Sequence, residues 1–313
     1  MKKVLVTEKI ANEGIDLMRL KGIQVDVKTD IKRDDLLSSI NEYDALVVRS
    51  ATKVDKELID AAVNLKVIGR AGNGMDNIDT CCAGDKGIKC VNAPDSNSVA
   101  AAEHTIGLLL ATCRNLTAGD STLKNGQWER NRFMGVEIWG KTVGIIGLGR
   151  IGKLVATRLQ AFGMNIIAYD PFVSEFEMAR LNIKRVPEIN ALMTVSDFIT
   201  VHMPKNKDTV GLIGKEQFAL AKANLRIINC ARGGLIDEAA LYDALNEGKI
   251  AGAALDVFEK EPCTDSPLFN LDNVVVTPHL GASTKEAQNK ASMTIASEII
   301  DYFFKDNCMI GAK

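Results

Sequence analysis

The chain has 313 residues, with 38 basic against 40 acidic side chains, and is 46% hydrophobic and 25% charged. This length predicts about two domains and a core that stands without disulfides or metals. The charged and apolar fractions argue against wholesale disorder, and the even charge balance argues against a nucleic-acid binder driven by bulk charge, while leaving room for a local basic pocket.

After Met1-Lys2-Lys3 the apolar stretch Val4-Leu5-Val6 is too short for the core of a signal peptide and reads as the first strand. No apolar run reaches the ~20 residues that span a bilayer, so no membrane partner is expected. The further strands predicted in chain order are Ala45–Val48, Val67-Ile68, Val143–Ile146, Ile166–Ala168, Phe198–Val201, Ile227-Ile228 and Val274–Val276. Helix-length segments lie between them, among them Val54–Ala62, Ile151–Phe162 and Glu238–Asn246. This βαβ alternation predicts an α/β protein whose parallel sheets are covered on both faces. The segment Ser96–Lys124 reads as one long helix, with Val99, Ala102, Ile106, Leu109 and Leu110 at helical spacing. A last helix, Ser283–Phe304, is placed back on the first domain, with Pro94 and Pro278 as hinges. The seven cysteines (81, 82, 90, 113, 230, 263, 308) are odd in number and lack zinc spacing, so they read as reduced thiols of a cytoplasmic protein without a bound metal. Cys81-Cys82 is a redox pair or, more simply, two small apolar helix residues.

The strongest motif is Gly147-Leu148-Gly149-Arg150-Ile151-Gly152, which follows an apolar strand and opens a helix. Glycines there permit a tight turn and close approach of the backbone to a pyrophosphate, and the helix start supplies free N–H groups. The next strand runs into Asp170, placed to accept hydrogen bonds from the ribose hydroxyls of NAD and to repel the extra phosphate of NADP. The alternative is a packing turn and a solvated acid. Arg232 follows Ile227–Ala231 and precedes Gly233-Gly234, just past a buried strand, where a guanidinium can hold a carboxylate and a carbonyl oxygen together. Glu261 alone reads as a loop acid and His279 alone as a structural histidine. Together with Arg232 they form the set needed to move a proton while a hydride moves to NAD. His202, at a strand end, lines the cofactor pocket or is structural, and His104 is packed or capping. Arg49 and Arg70 end two strands of the first domain, and Gly72-Asn73-Gly74 can wrap an anion, which suggests a phosphate or carboxylate pocket. Trp128–Phe133 reads as an interface or a substrate contact, and Trp139 as an anchor in a core or an interface.

These blocks resemble the D-isomer-specific 2-hydroxy acid dehydrogenases over essentially the whole chain. The stretches that carry the resemblance are Val48-Arg49-Ser50, Gly69–Gly72, Trp128-Glu129-Arg130 with Phe133–Gly135, Gly147–Gly152, Asn229–Gly234, Ala253–Phe258 and Pro278–Glu286. The resemblance implies a Rossmann-type cofactor domain over 96–283, inserted into a flavodoxin-like substrate domain over 1–95 and 284–313. It implies that Arg232 binds the substrate carboxylate and carbonyl, that Glu261 pairs with the catalytic histidine, and that His279 exchanges a proton with the C2 oxygen. NAD is the implied cofactor, contacted by Gly147, Gly149, Arg150, Ile151, Gly152, Asp170, His202, Met203, Cys230, Ala231, Arg232, Asp256, His279, Gly281 and Ala282. The implied substrate contacts are Arg49, Ser50, Arg70, Gly72, Asn73 and Gly74, with Arg130 reaching the site of a neighbouring subunit.

Asn73 and Met203 stand where many relatives carry threonine, which bears on affinity. The resemblance is strongest to members that oxidise 3-phosphoglycerate to 3-phosphohydroxypyruvate on the way to serine. The alternatives are a glyoxylate or hydroxypyruvate reductase and an NAD-sensing binding protein like the corepressors of this fold. The expected partners are a small phosphorylated 2-hydroxy acid and a second copy of the chain, as a dimer or a tetramer. The chain ends at Lys313, so serine feedback through a C-terminal regulatory domain is not expected.

Overall fold

Runs of Val, Ile, Leu and Ala become parallel strands because both of their faces are buried. The computed structural model describes residues 1–305. Its internal contacts divide it into two units, residues 1–97 with the segment from Ala282 onward, and Ser98–Gly281.

The first unit holds β1 (Lys3–Val6), β2 (Gln24–Val27), β3 (Ala45–Val48), β4 (Val67–Arg70) and β5 (Lys89–Asn92) in the all-parallel order β2-β1-β3-β4-β5. Side chains alternate across the strands. Val4, Val6, Ala45 and Val47 pack beneath helices Asn12–Leu20 and Lys285–Phe304. Leu5, Leu46 and Val48 join Leu36, Leu58 and Ile59 on the other face. The terminal helix sits close against this sheet. A Cβ on Gly69 would stand 2.6 Å from Ile295 Cγ2, and Ser292 Oγ donates to the Ala11 carbonyl at 2.7 Å.

The second unit holds β6 (Thr142–Ile146), β7 (Asn165–Tyr169), β8 (Lys184–Arg185), β9 (Phe198–Val201), β10 (Arg226–Asn229), β11 (Gly252–Leu255) and β12 (Val274–Val276) in the all-parallel order β12-β11-β10-β9-β6-β7-β8. Chain direction across the sheet reverses between β6 and β9, the switch point where open α/β sheets leave a crevice at their carboxyl ends. Helix Ser98–Arg114 covers β10 to β12 and packs on helix Arg150–Ala161. Among the described residues, no helix is long and apolar enough to cross a membrane.

Several sequence expectations need correction. Ser96–Lys124 is not one helix but two, Ser98–Arg114 and Leu116–Lys124, separated at Asn115, whose φ of 51° ends the first; asparagine tolerates this left-handed conformation. Ala102 and Leu109 are buried as the spacing predicts, but Val99 is 51% exposed. The helix expected from Val54 starts at Lys56. Val54 instead bridges Ile78, and Asp55 caps the helix by accepting from the Leu58 N–H. Trp139 is no core anchor: it is 77% exposed and lies over Gly163. Four strands lay outside the expected set. β2, β5 and β8 are edge or near-edge strands with polar residues, and β11 is buried but reads Gly-Ala-Ala-Leu. The unit boundaries fall after Asn97 and Gly281, three residues beyond Pro94 and Pro278. Cys81, Cys82, Cys90, Cys113, Cys230 and Cys263 are free thiols, and Cys308 lies outside the described residues.

Ile295, 0% exposed, fills the space between the terminal helix and Gly69. Truncating a buried aliphatic side chain costs ~2–5 kcal/mol. Ile295→Ala is therefore expected to lower unfolding stability by about that amount, read as an earlier midpoint in urea. An unchanged midpoint would show the last helix to be dispensable for the first unit.

Candidate active site

Every predicted site residue of the second unit except Arg130, Arg150 to Gly152 and Glu261 lies in the few residues that follow a strand, the edge at which open α/β sheets bind ligands. After β6, Gly147 has φ +94°, and a Cβ there would meet the His202 carbonyl carbon at 2.8 Å. A side chain at Gly152 would strike the Gly147 carbonyl, whereas Gly149 faces open space. Gly149 is the N-cap of helix Arg150–Ala161 and offers no side chain to cap it. The loop is therefore closed where it packs and open at the helix start, a cradle that fits a pyrophosphate. Asp170, after β7, accepts the Leu148 N–H at 2.7 Å on Oδ2 and the Phe172 N–H at 2.8 Å on Oδ1. A carboxylate has about four acceptor sites, so both oxygens keep capacity for ribose hydroxyls. His202 and Met203 follow β9 and pack over Gly147. His202 Nε2 lies 2.9 Å from Thr200 Oγ1. Burial pulls its imidazole pKa down to about 4, so it stays neutral near pH 7. Cys230, after β10, has its thiol pushed up to about 12 by burial, so it is protonated near pH 7.

The acid–base group is built around Asp256, which is 0% exposed. Its Oδ1 accepts from Thr277 Oγ1 at 2.5 Å and the Leu280 N–H at 2.7 Å, and lies 3.2 Å from His104 Nε2. Its Oδ2 accepts the Gly281 N–H at 2.8 Å. The carboxylate predicted as a cofactor contact is thus turned inward and acts on the turn. It holds His279 at φ +55°, with the His279 N–H on the Asp256 carbonyl at 2.8 Å. That backbone region costs a non-glycine residue on the order of 1–3 kcal/mol, sustained only where neighbours fix it. His279 Nδ1 then lies 2.6 Å from Glu261 Oε2. An ionised carboxylate only accepts, so Nδ1 donates and Nε2 is left for chemistry. Burial raises the Glu261 pKa, but the His279 hydrogen bond and the Phe258 N–H outweigh it and hold it below its ordinary value.

Arg232 is presented by a turn that Asn229 ties on both sides. Asn229 Oδ1 accepts the Ala231 N–H at 3.0 Å, and its Nδ2 donates to the Arg232 carbonyl at 2.9 Å. Gly233 then runs against the Phe258 carbonyl so closely that no side chain fits. The Arg232 turn and the loop that carries Glu261 are therefore packed together. Arg130 stands exposed on the short helix Arg130–Phe133.

In the first unit, Arg49 and Ser50 follow β3, and Arg70 ends β4 with its guanidinium folded over Gly72. The Asn73 carbonyl accepts from Asn92 Nδ2 at 2.6 Å, and Gly74 follows on the same loop. Ala282 belongs to this unit. Sequence reasoning missed Asn229 and the side chains of His104 and Thr277 as partners of Asp256. An asparagine directly before a turn is a usable signal. The pairing of His104 with a residue 152 positions away is not.

Residues 106–281 match the family model described as D-isomer specific 2-hydroxyacid dehydrogenase, NAD binding domain. The chain is 53% identical over 300 residues to a D-3-phosphoglycerate dehydrogenase of Archaeoglobus fulgidus, covering 96% of this chain and 57% of that protein. It is 50% identical over 298 residues to one of Mycobacterium tuberculosis, covering 95% and 56%. The chain thus spans a little more than half the length of these relatives. Its fold is similar to that of a protein from Thermus thermophilus (TM-score 0.89, 29% identity, 96% of both chains). It is also similar to a glyoxylate reductase from Paecilomyes thermophila (TM-score 0.87, 29% identity, 97% of this chain and 96% of that one). The chain belongs to the D-isomer specific 2-hydroxyacid dehydrogenases, and its second unit carries the NAD-binding domain of that family.

Burial works to raise the Asp256 pKa, but His104, Thr277 and the Leu280 and Gly281 N–H groups hold it below its ordinary 3.8. A depressed folded-state pKa contributes stability above the unfolded value and loses it as pH falls through the folded one. Asp256→Asn is expected to destabilise the protein near pH 7 and to flatten its stability profile below about pH 4, measured by urea titration at several pH values. An unchanged acid limb would show that another group controls it.

Proposed function

We propose that this member of the family oxidises D-3-phosphoglycerate to 3-phosphohydroxypyruvate with NAD, a reaction that feeds serine synthesis. The observation that carries the reading is the 2.6 Å pairing of His279 Nδ1 with Glu261, beside the Arg232 turn at the carboxyl edge of the sheet. The names of the relatives support the substrate.

In this reading Arg232 holds the substrate carboxylate and the C2 oxygen in its planar fork, fixing C2 for reaction. His279 Nε2 takes the C2 hydroxyl proton as the carbonyl forms. Glu261 keeps the opposite ring nitrogen protonated and stabilises the imidazolium that results. NAD, held by Gly147–Gly152, Asp170 and the loops after β9 and β10, supplies the acceptor for the C2 hydride. Arg49, Ser50, Arg70 and the Gly72-Asn73-Gly74 loop bind the phosphate.

The protein acts in the cytoplasm as a dimer, with Arg130 reaching the neighbouring copy's site. Leu116, Leu123, Trp128, Met134 and Trp139, all exposed in the second unit, support that interface. Light scattering is expected to show twice the chain mass, falling towards one chain in Trp139→Lys. A monomeric parent protein would sink the dimer.

Purified protein is expected to form NADH from 3-phosphoglycerate under alkaline conditions. His279→Ala should lower kcat by ~10²–10⁴-fold. Arg49→Ala and Arg70→Ala should each raise KM for the phosphorylated substrate about tenfold or more, the loss expected for one charge-assisted hydrogen bond. Reduction of glyoxylate or hydroxypyruvate with equal efficiency, unaffected by the arginine changes, would replace the substrate assignment. Absence of turnover on every 2-hydroxy and 2-keto acid would favour a binding protein.

A further inference from the structure

The phosphate-binding role given to Arg49 and Ser50 rests on the proposed function, and their loop is held in an unusual way. The backbone after β3 turns so that the N–H groups of Arg49, Ala51 and Thr52 converge. Convergent backbone donors of this kind form an anion-binding concavity. Here they meet the Glu8 carboxylate, at 2.8 Å from Arg49 and 2.9 Å from Thr52 on Oε1 and at 3.0 Å from Ala51 on Oε2. Glu8 lies just beyond β1, the neighbouring strand. The preceding residue adds a fourth tie, with Thr7 Oγ1 2.8 Å from Thr52 Oγ1. The carbonyls of the same loop are held from the opposite side. Asn77 Nδ2 donates to the Arg49 carbonyl at 2.8 Å and to the Thr52 carbonyl at 2.7 Å. Asn77 lies on the connection that follows Arg70 and contains Gly72-Asn73-Gly74, so it ties the two arginine-bearing loops to each other.

We infer that Glu8 and Asn77 are positioning residues for the substrate phosphate: Glu8 occupies the backbone donors of the Arg49 loop as a resident anion, so phosphate is recognised by the arginine side chains and not by that backbone. A carboxylate at the mouth of an anion site would ordinarily repel the ligand. Charge-assisted bonds from three amide donors spread its charge into the loop. Burial works to raise its pKa, and the N–H groups of Thr52, Ala51 and Arg49 prevail and hold it below the ordinary 4.5. It is therefore ionised throughout the range in which the enzyme would work. Glutamine at this position keeps the size but brings an N–H₂ against backbone N–H groups, so at least one donor loses its partner.

The test compares kcat/KM for reduction of 3-phosphohydroxypyruvate and of hydroxypyruvate in the parent chain, Glu8→Gln and Asn77→Ser. The expected result is a loss of preference for the phosphorylated acid of about tenfold or more in Glu8→Gln, carried by KM, the scale of one charge-assisted hydrogen bond. KM for NADH and the rate on hydroxypyruvate should stay near the parent values. Equal losses on both acids, or an altered KM for NADH, would mean a general structural role and overturn the inference. So would an unchanged preference. If Glu8→Gln does not fold, Asn77→Ser reads the same loop from its other side against the same criteria. A parent chain that does not distinguish the two acids would instead overturn the phosphate reading itself.

Discussion

Asp256 has no contact with solvent, yet its carboxylate is held in the charged form by a hydroxyl, an imidazole and two backbone N–H groups. Moving such a charge out of water is expensive unless every lone pair finds a donor. The sequence meets that demand with groups from three places: His104 on the helix that covers the sheet, Thr277 at the end of β12, and the turn at Leu280-Gly281. The arrangement fixes the backbone on both sides of His279, which explains how a non-glycine residue keeps φ +55°. The 2.6 Å contact with Glu261 depends on that backbone, because imidazole direction follows from it.

Rigidity at this edge is transmitted by packing as much as by hydrogen bonding. Gly233 lies against the Phe258 carbonyl, so the Arg232 turn and the Glu261 loop cannot move independently. Asn229 closes the same turn from within. Arg232, Glu261 and His279, from loops after three different strands, are thereby linked by packing and hydrogen bonding. Helix Ser98–Arg114, which supplies His104, is itself pinned to the sheet by Ala102 and Leu109. Its buried Thr105 and Thr112 return their hydroxyls to the Ala101 and Leu108 carbonyls and leave no polar group unmet there.

Much of this was legible in the sequence. Ala45–Val48 is a continuous apolar run bounded by polar residues, Phe198–Val201 is apolar but for the β-branched Thr200, and the glycine loop after Ile146 declares its own geometry. The signal failed where strands carry small or polar residues: Gly252–Leu255 is fully buried, but Gly-Ala-Ala-Leu has little β character of its own. It failed again at Asn115, where one left-handed residue breaks an otherwise helical pattern. At Trp139 only the core alternative fell, since the ring is 77% exposed. The partners of Asp256 and Glu8 were invisible for another reason. They come from distant positions, and only the order of strands in each sheet brings them together.

One rule runs through both sheets. The loops after the strands present backbone N–H groups at the carboxyl edge, and this chain satisfies a set of them with its own acids. Glu8 takes donors after β3, Asp170 takes donors after β6 and beside itself, Asp256 takes donors after β12, and Glu261 takes one after β11. Each acid thereby turns a loose edge into a fixed loop. Each also occupies amide donors that a small anion could otherwise accept from. In the proposed function, recognition of negative charge is left to Arg49, Arg70 and Arg232, whose planar forks discriminate by shape as well as sign. At the glycine loop the rule is relaxed, since Gly149 opens the helix without a side-chain cap. There a helix start keeps backbone N–H groups of the kind that fit a pyrophosphate.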